Sequence, residues 1–145
     1  MKETGSEINI WFSLSGRNVN LDEITDKLGI IPCQVRTLDD WPEAIKNPKN
    51  ELPDELKPRY IWQVDIGYEV SRLVRDRFEV ILNLLTDKID IINELKKQFS
   101  LKASFTVGIH AQHDQCNMPE MFLTQEIIAY AASIGADIGF DMYLD

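Results

Sequence analysis

Cysteine is scarce in this chain: 2 of 145 residues. Cys33 and Cys116 are too few for the disulfide framework on which small secreted domains depend, so both are read as thiols. Long apolar runs are missing too, and without a stretch of about 18 such residues no membrane-spanning helix is expected. The segment from Met1 to Glu7 carries acids and no apolar core of the kind a secretory leader has, which makes the cytoplasm the expected location. No Gly-rich phosphate loop, nucleophile elbow, HExxH helix or paired CxxC occurs, so an enzyme reading has no known motif to stand on and no cofactor is expected. Positive charge is the scarcer sign, with 15 Lys and Arg against 24 Asp and Glu and a formal net charge of -9. Phosphate backbones and anionic membranes both require clustered cations; neither nucleic acid nor membrane is an expected partner, whereas a basic protein is.

What is present describes an ordinary folding unit. Hydrophobic residues make up 44% and charged residues 27%, a balance that builds a packed core. The length suits one domain, 1–145, able to bury roughly two thirds of its unfolded surface. No low-complexity tract or Gly/Ser linker divides it.

Period-two alternation marks the strands. Ile8, Ile10, Phe12 and Leu14 alternate with Asn9, Trp11 and Ser13; Tyr60, Trp62, Val64, Ile66 and Tyr68 with Ile61, Gln63, Asp65, Gly67 and Glu69; Leu101 to Ala111 does the same. Ile138, Phe140, Met142 and Leu144 form a last strand opposite Asp137, Gly139, Asp141 and Tyr143. Gln34 to Leu38 is a short edge strand. Helical spacing covers Leu21 to Leu28, with Asn20 and Glu23 as a capping pair and Gly29 as the close. It also covers Ser71 to Leu85, a second helix to Phe99 capped by Thr86 and Asp87, and a helix after Thr124 that Gly135 ends. Pro42 to Pro58 holds four of the 6 prolines and reads as a loop. The two ends of the chain share a strand, a capped helix and a closing Gly, which reads equally as a faint duplication or as the general grammar of helices. This order predicts an α+β fold: an antiparallel-dominated sheet of four or five strands with helices on one face, related to ferredoxin-like folds.

Candidate chemistry is sparse. His110, His113 and Cys116, three residues apart, are zinc-compatible types, but a structural zinc usually takes four ligands, and a strand end does not bring that spacing together. Asp137 and Asp141 share one face of the last strand, too far apart to act as a pair; a pairing of Asp141 with Asp65 across strands is what a small hydrolase using sheet-face carboxylates would need. The alternation turns Trp11, Asp65, Glu69, Asp137, Asp141 and Tyr143 outward on one sheet face, where acids supply charge and Trp11 or Tyr143 an anchor for a partner. Trp41, beside Asp39 and Asp40, is a further anchor unless it packs on its own loop.

The segments "WFSLSGRNVNLDEITDKLGIIP" and "FLTQEIIAYAASIGADIGFDMY", with Trp62 and the paired helices between them, resemble an uncharacterised bacterial family, domain of unknown function 4279, over nearly the whole chain. The resemblance implies a small stand-alone protein with no assigned reaction and offers no catalytic residue to carry over. The expected function is therefore a non-catalytic binding or inhibitory protein, such as an immunity protein that neutralises a toxin through an acidic surface. The alternatives are a housekeeping or regulatory module, or the small hydrolase.

Overall fold

A computed structural model describes residues 5–47, 52–53, 56–111 and 118–144. The first alternating segment is β1, Glu7–Gly16, and its four apolar side chains Ile8, Ile10, Phe12 and Leu14 are fully buried. Each such side chain contributes about 1.5–3 kcal/mol of transfer free energy. In α1, Leu21–Leu28, the Glu23 amide donates to Asn20 Oδ1 at 3.1 Å, and Gly29 closes the helix at φ 67°. The Glu23 carboxylate does not return to the cap; Lys27 and Gln98 hold it instead.

The chain continues through β2 (Gln34–Arg36), a 3-10 turn at Leu38–Asp40 and the single helical turn α2 (Glu43–Lys46). Beyond β3 (Tyr60–Asp65) and β4 (Glu69–Val70) come α3 (Val74–Leu85) and α4 (Ile89–Phe99). Thr86 does not cap α4 as its sequence suggests: its hydroxyl donates back to Leu82 O at 2.7 Å within a 3-10 link. β5 (Lys102–Ala111), α5 (Gln125–Ser133), N-capped by Thr124, and β6 (Ala136–Leu144) complete the fold.

The strands form one sheet in the order β2-β3-β1-β5-β6, with β4 also paired to β1, so the sheet has six strands rather than the expected four or five. Every pairing is antiparallel except β5 with β6. Because β1 and β2 both run against the intervening β3, β1-α1-β2 is a split βαβ unit, the feature shared with ferredoxin-like folds. At the other end, β5-α5-β6 is a parallel unit whose strands are neighbours.

The longer helices lie on one face: α1 packs on β3, α3 on β1, α5 on β6, with α1 against α4 and α3 against α5. The cover is incomplete over β6. A nine-residue helix is about 13 Å long and a nine-residue strand about 30 Å, and the far end of β6 leaves Phe140, Met142 and Leu144 exposed at 40%, 49% and 67%.

The extra strand comes from a bulge. Trp11 pairs with Asp65 and Ile8 with Glu69, so Asn9 and Ile10 of β1 face three residues, Ile66, Gly67 and Tyr68. One added residue inverts the alternation, and Gly67 takes the turn at φ 79°. Tyr68, expected inward, lies on the open face. Glu69, expected on that face, turns toward the helices, where Arg77 of α3 meets its carboxylate at 3.0 Å. Arg77 is buried, and it also donates to Ile8 O at 3.1 Å and Gly67 O at 2.6 Å. A single guanidinium thus ties the bulge to the core.

Candidate binding surface

No described helix covers the other face of the sheet, whose side chains come from alternate positions of β1, β3, β5 and β6. At the end formed by the start of β1 and the close of β5 and β6, register places Glu7 beside His110 and His110 beside Tyr143. One step along, Asn9, Gly108 and Asp141 share a row, and the next row holds Asp65, Trp11 and Thr106. The bulge adds Tyr68 above them.

These side chains form a continuous aromatic row. Trp11 meets Tyr68 edge to face at 5.7 Å, Tyr68 meets His110 at 4.8 Å and 77°, and His110 stacks on Tyr143 at 4.8 Å and 19°. Such geometry is favourable beyond area burial alone. Gly108 makes it possible: a Cβ there would come 2.5 Å from the Trp11 ring and 2.9 Å from the Tyr68 hydroxyl. Trp11 and His110 are half-buried, whereas Tyr68 and Tyr143 are exposed.

Under the row, Asn9 is 2% exposed yet hydrogen-bonded: its amide donates to Asp65 Oδ2 at 2.8 Å, and its oxygen accepts from the Ile66 amide at 3.3 Å. Asp65 is therefore a support for the bulge as well as a surface charge. Burial first, then the charges of Tyr143, Asp141, Glu7 and Asp65, hold the Tyr68 hydroxyl above its ordinary pKa, which keeps it a neutral donor ringed by acids. Cys33 donates to Gln63 O at 3.3 Å; burial, followed by the Asp65 charge, raises its thiol. A raised thiol pKa makes a poor nucleophile.

The remaining sequence candidates are dispersed. Asp137 lies at the opposite end of β6, exposed, 3.6 Å from Lys102. Trp41 sits between two cations, Arg36 at 5.1 Å and Arg59 at 5.3 Å from its ring, and donates its indole N–H to Arg59 O at 2.8 Å. Asp65 and Asp141 are separated by β1 and β5. Three strand spacings put them roughly 14 Å apart, beyond the ~5–9.5 Å between glycosidase carboxyls. The hydrolase pairing is thus not formed. His110 belongs to the aromatic row, while His113 and Cys116 lie outside the described residues.

Residues 6–145 match the model of a family described as Domain of unknown function (DUF4279). The chain belongs to this family. No curated protein matches the chain, and no solved structure does. The open sheet face of this DUF4279 chain carries an aromatic row with Glu7, Asp65 and Asp141 around it. Among its described residues no helix is long and apolar enough to cross a membrane, and no group of three or more His, Cys, Asp and Glu is placed to hold a metal ion.

Sequence reasoning missed Tyr68 as part of this surface. Gly67, inside a strand pattern, is the signal that could have shown the bulge. Arg77, in the Val74, Phe78 and Ile81 stripe, marks where its tether lies.

Proposed function

We propose that this chain is a non-catalytic binding protein of the cytoplasm that engages a basic protein partner through the open sheet face, with Trp11, Tyr68, His110 and Tyr143 as anchor and Glu7, Asp65 and Asp141 as rim. The observation that carries the reading is the aromatic row at 4.8–5.7 Å spacings, pre-assembled and ringed by carboxylates. Aromatic faces beside acids suit Lys and Arg side chains, which gain from both ring quadrupole and charge. Rigid aromatics also lose little conformational entropy on binding. Inhibition of a cationic protein, as by an immunity protein, is the form of binding this surface fits. Its net charge of -9 would speed encounter with such a target.

The test is capture from the native host at low and high salt, followed by affinity measurement on the purified pair. Asp65 and Trp11 also support the fold, so the informative variants are exposed: Glu7→Lys with Asp141→Lys, and separately Tyr143→Ala. A basic partner should be retained by the unmodified protein and released by salt. It should lose association rate with the charge variant and dissociate faster from Tyr143→Ala. Equal affinity for all three proteins would place the binding surface elsewhere.

A further inference from the structure

The open face has a second end. Beyond Ser13, where β1 closes and β5 and β6 begin, lies a concavity of about 800 Å³ lined by Arg17, Lys57, Arg59 and Lys102, with Asp137 as the only carboxylate among the described residues that line it. In the chain as a whole, acids outnumber cations by 24 to 15; among the described residues lining the concavity, four are cations and one is an acid. We propose that this concavity binds a small polyanion, a molecule carrying clustered phosphate or carboxylate groups.

The volume falls within the range of small-molecule sites, about 300–1,000 Å³. Two of the four cations are arginines, whose planar forks match phosphate and carboxylate oxygens bidentately. Arg59 is oriented in advance: its guanidinium lies over the Trp41 ring, and its carbonyl accepts the Trp41 indole N–H. Trp41 is thereby a positioning residue for one wall of the site. Arg17, Lys57 and Arg59 each also interact within the chain. Lys102 and Asp137 are both well exposed at 3.6 Å, a contact of small net worth that an incoming anion can displace. Ser15, Ser104 and Thr106 also line the concavity, and their hydroxyls supply neutral donors between the charges. The proposal does not depend on the basic-partner reading, since the two ends of the face share no charged residue.

The test is calorimetric titration with inorganic pyrophosphate and, separately, with citrate. Saturable binding of at least one is expected at low salt, weakening as salt screens the exposed cations; a preference between the two assigns phosphate or carboxylate as the ligand chemistry. Arg17→Gln with Lys102→Gln should weaken binding by about tenfold or more. Ser104→Asp, which adds a carboxylate to the concavity without removing a cation, should abolish it. Arg72→Gln with Lys88→Gln removes the same charge elsewhere and should leave the affinity unchanged, and melting curves establish that each variant is folded. No saturable binding of either probe, or equal weakening by the two double variants, would overturn the proposal.

Discussion

Individual residues do unequal work on this surface, and the glycines show it most sharply. Gly108→Ala would drive a methyl into the Trp11 ring and the Tyr68 hydroxyl; overpacking of that kind costs about 1–3 kcal/mol, and near-ultraviolet dichroism should change as the row is displaced. Gly139→Ala meets nothing within 4 Å and should leave the denaturation midpoint within about 0.5 kcal/mol of the parent. Arg77 is a larger case. Arg77→Met leaves the carbonyls of Ile8 and Gly67 without their donor and should cost about 2–4 kcal/mol. Glu69→Gln removes only the exposed partner of the same contact and should cost about 1 kcal/mol or less. Urea midpoints of the two variants check the contrast. The tyrosines give a pH signature. Burial pushes Tyr130 up to about 12 and also raises Tyr68. Below pH 10 both are neutral folded and unfolded, so they add no pH dependence there. Above it the unfolded chain loses these protons first, and stability should fall as pH rises from about 10 towards 12. Phenolate absorbance should show a late phase that Tyr130→Phe removes.

At the scale of elements, what was legible in the sequence is what local periodicity controls. The apolar rows of β1 and β5, the Asn20 and Thr124 caps and the closing glycines all stand where their spacing puts them, because alternation and capping are nearest-neighbour chemistry. Two features were not legible, for a common reason. The segment from Tyr60 to Glu69 alternates without a break in sequence, yet its second half is shifted by one residue, and pairing with β1 decides the shift, not the segment itself. That error moved Tyr68 off the open face and Glu69 onto it. The uncovered end of β6 likewise follows from the length of α5 relative to the strand, which alternation does not report. The bulge can be probed directly: Gly67→Ala at φ 79° should cost about 1–2 kcal/mol, and any loss of partner affinity should accompany it, since Tyr68 depends on the same turn. Full stability with the alanine would mean that the turn does not hold this conformation.

Across the whole molecule, the helices cover one side of the sheet except at the far end of β6 and leave the other as a strip with two chemistries: aromatics and acids at one end, cations and hydroxyls at the other. Net charge alone hides this arrangement, because -9 is a sum and the strip is a distribution. The central claim is that the two ends act as separate binding surfaces. Amide shift mapping on the isotope-labelled protein tests it most directly, with a short Arg-rich peptide in one titration and inorganic pyrophosphate in another. The peptide is predicted to move Glu7, Trp11, Gly108, His110 and Tyr143, and pyrophosphate to move Arg17, Lys102 and Ser104, with little overlap. Shifts on the same residues in both titrations, or changes scattered over the helices, would contradict the account.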